Sequence, residues 1–193
     1  QSFDIQNNLR KNNIYNIDVP IDSKNLSLVK KNSYIKKSFE VALKLLKKDD
    51  SPALINGPIS KTTFLKGKYN GITEFLAFKT RSYNEVMFLF NKELSVSPMT
   101  THIPINKVAQ KIKRKMIINK INSINHFYKK FLGFKPKIAI TGLNPHCETF
   151  TGKNIEKTEI LPAIKILKKK KIKILGPFPA DTIFLKKKRK GFD

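Results

Sequence analysis

The 193-residue chain contains one cysteine, no tryptophan and only four arginines, at positions 10, 81, 114 and 189. A single thiol, Cys147, can form no internal disulfide and cannot build a cysteine-based zinc module, so any metal must be held by histidine and carboxylate. A formal net charge of +25 and a pI near 10.1 would ordinarily suggest nucleic acid or an anionic membrane surface. The scarcity of arginine weakens that inference, because arginine is the residue suited to bidentate phosphate and base-edge contacts. The lysines are spread along the whole chain among abundant Asn and Ile, the pattern expected of drift toward A/T-rich codons. Nucleic acid is therefore not expected as the main partner. No apolar run approaches the roughly 20 residues of a membrane span, and no signal-peptide pattern opens the chain. No membrane association is expected, and the cytoplasm is the expected compartment. Gly-x-Gly-x-x-Gly, Walker-type Gly spacing and a Gly-x-Ser-x-Gly elbow are also absent, which removes the sequence signals of a Rossmann domain, a P-loop and an α/β-hydrolase.

What is present is enough apolar material for a core, 40% of residues including 14 Phe. The chain opens at Gln1 and stops at Asp193, straight after the Lys-rich run 186–190, and is expected to be an internal fragment of a longer protein. Residues 1–32 are polar and Asn-rich and read as irregular or edge strand. From Ser33, apolar residues at helical spacing (Tyr34, Ile35, Phe39, Ala42, Leu43, Leu46) predict an amphipathic helix of about four turns ending near Asp49-Asp50-Ser51-Pro52. Short apolar runs at 53–56 and 86–90 read as strands, as does the more polar 94–104. Residues 72–81 read as a helix, and 105–131 as two helices meeting near Lys113-Arg114. Lys137–Thr141 is a strand, 156–168 a helix, and 171–175 a strand. Alternating strand and helix predict an α/β fold with a largely parallel sheet covered by helices.

Three strand ends deliver polar groups. Gly57-Pro58-Ile59-Ser60-Lys61-Thr62 could cap a helix with Ser60 or Thr62 and hold an anion beside Lys61, or be an ordinary turn with a solvated lysine. Gly142-Leu143-Asn144-Pro145-His146 presents Asn144 and His146, with Glu148 just beyond, at the carboxyl end of a strand, where α/β sheets bind ligands. Gly176-Pro177-Phe178-Pro179-Ala180-Asp181-Thr182 carries a carboxylate. Of the three histidines, His126 lies within a helical pattern and reads as a surface or core-edge residue. His102 and His146 each lie at a strand end beside a proline turn, and read either as ligands of a divalent cation with a third group from elsewhere, or as two structural histidines.

Taken together, Gly57-Pro-Ile-Ser-Lys61, Gly71-Ile-Thr-Glu-Phe-Leu-Ala77, Thr100-Thr-His-Ile-Pro104, Gly142-Leu-Asn-Pro-His146 and Gly176-Pro-Phe-Pro-Ala-Asp-Thr182 stand in the order and spacing of the 4-hydroxythreonine-4-phosphate dehydrogenase family. The sequence closely resembles that family from about residue 33 to the end. The resemblance implies a non-Rossmann, two-domain α/β/α fold like isocitrate and isopropylmalate dehydrogenases. It also implies a homodimer sharing its active sites, with residues 1–193 forming a partial chain of two α/β subdomains. It further implies metal-dependent, NAD- or NADP-linked oxidation of 4-phosphooxy-L-threonine to a β-keto acid that decarboxylates, a step of pyridoxal phosphate biosynthesis. The divalent cation would be Zn, Mg or Co. His102 and His146 fall on two of the family's three metal-binding histidines. The third lies in a Tyr-His-Asp-Gln block beyond Asp193, as do further substrate contacts, and the family's early Gly-Asp-Pro-x-Gly-x-Gly segment is absent as well. Thr73, Lys61 and Asn144 are the substrate-binding candidates, with a loop-stabilising role the alternative for Asn144. Asp181 is the candidate catalytic or metal-orienting carboxylate, with helix capping as its alternative. One departure stands out: the family has Gly-His-Thr-Glu where this chain has Gly71-Ile72-Thr73-Glu74, and Ile72 donates no hydrogen bond. A related dehydrogenase of altered substrate, or a non-catalytic Lys-rich polyanion-binding protein or inactive fragment, is the competing expectation.

Overall fold

Ser27 sets where the first helix begins. Its hydroxyl accepts the Lys30 N–H at 3.3 Å and its carbonyl accepts the Lys31 N–H at 3.0 Å, so helix α1 runs Leu28–Lys48 and starts a turn and a half before the apolar periodicity suggested. The computed structural model describes residues 19–20, 27–48, 53–82, 84–147 and 154–193. Most of the irregular region expected over 1–32 and the expected helix end at 49–52 lie outside these residues. The chain divides into two compact units, Gln1–Arg81 and Ser82–Asp193.

In the first unit α1 is followed by α2 (Lys61–Phe64) and α3 (Ile72–Thr80). Phe39 of α1, Phe64 of α2 and Phe75 of α3 form an aromatic cluster, with the Phe75 ring 5.3 Å from each of the other two in edge-on geometry. Asn32 reinforces this packing by donating its side-chain amide to the Thr63 carbonyl at 2.9 Å. The buried strand expected over Ala53–Asn56 does not form. These residues belong to no strand and pair with no described neighbour, and Ile55 is 94% exposed. A strand without a partner has no ladder to satisfy its N–H and C=O groups, so apolar character alone does not make one.

The second unit holds the sheet. The run 86–90 and the segment 94–104, both expected as strands, meet only in an isolated antiparallel bridge between Leu89 and Val96. After a short helical entry at 105–107 come α4 (Val108–Lys111) and α5 (Arg114–Phe127), separated where Ile112 and Lys113 are extended. A π-helical turn at Tyr128–Leu132 and left-handed Gly133 lead into β1 (Lys137–Thr141). The next helical segment opens with a π-helical turn at Glu156–Ile160 and continues as α6 (Leu161–Lys169), which returns the chain to β2 (Lys173–Phe178). A final short helix, α7, spans Lys186–Arg189.

The two strands pair in parallel, Lys137 with Lys173 and Ile138 with Ile174, with an irregularity between Ala139 and Thr141. Gly176 permits it. Its φ is +130°, and a Cβ there would strike the Ile140 carbonyl oxygen. The core beneath the sheet is built by Ile117, Ile121, Ile164, Leu167, Ile140 and Ile174. Among the described residues the sheet has two strands, in place of the larger one expected. No helix among them is long and apolar enough to cross a membrane.

Candidate functional site

Both strands end at the same edge of the sheet, and the loops that follow them are bonded together. Gly142 N–H donates to the Phe178 carbonyl at 2.9 Å, extending the ladder past β1, and Ala180 N–H donates to the Pro145 carbonyl at 3.0 Å. These two bonds hold the loop 142–147 against the loop that opens at Pro179. His146 and Asp181 meet there, with Nδ1 3.4 Å from Oδ2. Both side chains are open to solvent, 79% and 40% exposed. A carboxylate on Nδ1 fixes the ring so that the opposite nitrogen, Nε2, carries the lone pair a ligand would use.

The capping role considered for Asp181 is not realised. Residues 180–184 form consecutive turns, with Ile183 N–H donating to the Pro179 carbonyl at 3.1 Å, and no helix begins until Lys186.

The loop carrying His146 is tightly wound. Cys147 N–H donates to the Asn144 carbonyl at 3.0 Å, and Cys147 has φ +61°. Gly142 is required by this closeness, since a Cβ there would lie 2.6 Å from Cys147 Sγ and 3.2 Å from the Asn144 carbonyl oxygen. Inside the loop sits a group that no sequence pattern singles out. Glu156 is 2% exposed. Its Oε1 accepts the N–H groups of Leu143 and Asn144, each at 2.9 Å, and the Asn144 side-chain amide at 3.2 Å. Asn144 thus has the loop-stabilising role considered for it. The only sign of Glu156 in the sequence was an acidic residue in a helical first turn, which is common and unspecific.

His102 is exposed on the second unit with φ +55°, just before Pro104. Among the described residues no group of three or more His, Cys, Asp or Glu side chains is placed to hold a metal ion. The donors present are one exposed imidazole backed by a carboxylate, His146 with Asp181, and a second exposed imidazole, His102, on the same unit. Glu148 lies outside the described residues.

Thr73 and Lys61 belong to the first unit. Thr73 is exposed in the first turn of α3 and Lys61 is exposed at the start of α2. The side-chain cap considered for Ser60 or Thr62, as against an ordinary turn, is not formed; the two hydroxyls lie 3.3 Å from each other, and Phe64 N–H donates to the Ser60 carbonyl. Ile72, beside Thr73, packs against the Phe39–Phe75 cluster.

A profile of the family described as pyridoxal phosphate biosynthetic protein PdxA matches residues 3–193. The chain belongs to this family. It is 37% identical over 185 residues to a 4-hydroxythreonine-4-phosphate dehydrogenase of Sulfurihydrogenibium sp. (strain YO3AOP1), covering 94% of this chain and 56% of that protein. A match to the same-named protein of Neisseria meningitidis serogroup A is 38% identical over 133 residues, 68% of this chain and 40% of the relative. The crystal structure of a 4-hydroxythreonine-4-phosphate dehydrogenase from Burkholderia phymatum superposes with a TM-score of 0.68 at 33% identity, covering 88% of this chain and 52% of that one. The chain spans about half the length of the PdxA-family relatives it matches.

Proposed function

We propose that the protein carrying this chain oxidises 4-phosphooxy-L-threonine to 2-amino-3-oxo-4-phosphooxybutanoate, which loses carbon dioxide to give 3-amino-2-oxopropyl phosphate, in pyridoxal 5'-phosphate biosynthesis. The observation that carries the reading is the His146–Asp181 pair at the carboxyl edge of the sheet in a chain of this family. The reading includes an isocitrate/isopropylmalate dehydrogenase-like fold for the complete protein and a homodimer with shared sites, working in the cytoplasm.

His102 and His146 would hold a divalent cation, Zn, Mg or Co, with a third ligand from outside this chain. When bound, the cation would polarise the substrate hydroxyl and lower its pKa, and NAD or NADP would accept the hydride. The 3.4 Å contact between His146 Nδ1 and Asp181 Oδ2 supports Asp181 as the carboxylate that would orient the ring and take up a proton at this edge. Thr73 offers a hydroxyl, and Lys61 a positive charge, to the phosphate.

Ile72 supports a narrower second reading, a dehydrogenase of the same chemistry with altered substrate preference. Its side chain is committed to the aromatic cluster and offers the phosphate no donor. The test is formation of reduced nicotinamide by the full-length protein from 4-phosphooxy-L-threonine, abolished by a chelator and restored by Zn, Mg or Co. Turnover of a different phosphorylated hydroxy acid with none of this substrate would favour the second reading. Absence of turnover with every phosphorylated hydroxy acid would overturn both.

A further inference from the structure

The loop that presents His146 is wound around a carboxylate that the proposed reaction does not use. Glu156 is the buried charged residue among the described residues, and a buried carboxylate is tolerated only where donors meet it. Two consecutive backbone N–H groups, of Leu143 and Asn144, converge on its Oε1, and the Asn144 side-chain amide reaches both oxygens at 3.2 and 3.3 Å. Successive N–H groups turned to one point make a seat for an anion, and here a side chain of the same fold fills it. Glu156 opens the helical segment whose continuation, α6, buries Ala163, Ile164 and Leu167 in the core. The contact therefore transmits the position of a rigid helix to residues 143–144, and His146 follows two residues later.

We propose that Glu156 is a positioning residue. It seats the loop 142–147 from the inside while the Ala180–Pro145 bond holds it from the outside, so that His146 meets Asp181 and turns Nε2 outward. This inference rests on His146 being a metal ligand. Glu156 itself would touch neither metal nor substrate.

The experiment uses the full-length protein with Glu156→Gln and Glu156→Asp, and His146→Ala as the comparison. Gln keeps an acceptor oxygen but sets an NH2 group against the Asn144 amide; Asp keeps the charge and withdraws it by one methylene. Three quantities are read: amide exchange at Leu143 and Asn144, Co2+ affinity with the visible spectrum of the bound ion, and the thermal unfolding midpoint. Both Glu156 variants are expected to speed exchange at the two amides and to weaken Co2+ binding about 10- to 100-fold with an altered spectrum, measured below their unfolding transitions. His146→Ala is expected to lose Co2+ affinity with exchange at 143–144 unchanged. Glu156 variants that bind Co2+ with wild-type affinity and spectrum would overturn the positioning role, whatever their stability. Wild-type amides at 143 and 144 that exchange as fast as open loop residues would overturn it without any variant. If His146→Ala binds Co2+ as the wild type does, the ligand reading itself fails, a result distinct from failure of the Glu156 variants alone.

Discussion

Asp181 acts, on this account, through the ring it faces. Removing its charge while keeping its shape, Asp181→Asn, releases the preference for the proton on Nδ1 of His146 and lets the ring turn. The expected result is a fall in cation affinity of about 10- to 100-fold in the full-length protein, read by competition with a chelating dye; unchanged affinity would show that the 3.4 Å contact has no orienting role. Lys120 is a second residue with a measurable signature. Burial lowers its pKa below the ordinary 10.5, and the nearby Glu85 carboxylate offsets this only in part; its ammonium reaches the Pro98 carbonyl at 3.4 Å. The folded state thus binds this proton less well than the unfolded state, so the penalty is present at lower pH and is relieved as pH climbs through the window between the depressed pKa and 10.5. Between about pH 8 and about pH 10, the wild type should gain more urea resistance than Lys120→Met, and equal gains would contradict the assignment.

At the scale of elements, the longer helices were legible in the sequence because helical spacing reports a buried stripe and needs no distant partner, whereas the four-residue α7 carries no such stripe. Ile112 to Lys113 broke where the pattern suggested, and Gly133 stopped the segment before β1. The strands were less legible for a physical reason. The runs at 53–56 and 86–90 have the same apolar character as Lys137–Thr141, but a strand exists only where a neighbour completes its ladder. β1 finds one because α6 carries the chain back alongside it. That dependence makes α6 the element to test. Leu167 is fully buried in the core cluster that also contains Ile117 and Ile121 of α5 and Ile140 and Ile174 of the strands, so Leu167→Ala should cost about 2–5 kcal/mol in denaturant unfolding. A loss below about 1 kcal/mol, the scale of a surface substitution, would mean that α6 does not anchor the sheet.

At the scale of the whole molecule, His102, His146 and Asp181 were candidates in the sequence because each lies within two residues of a proline after an expected strand. Glu156 was not, because its role depends on two backbone N–H groups 12 and 13 residues away in sequence. The chain spans about half the length of its relatives, so the proposed reaction is tested in the full-length protein. The most direct test compares wild-type full-length protein with His146→Ala for cation-dependent formation of reduced nicotinamide from 4-phosphooxy-L-threonine. The wild type is expected to turn over the substrate until a chelator is added, and the variant to lose both turnover and cation affinity. A variant that retains wild-type turnover and cation affinity would contradict the role of His146.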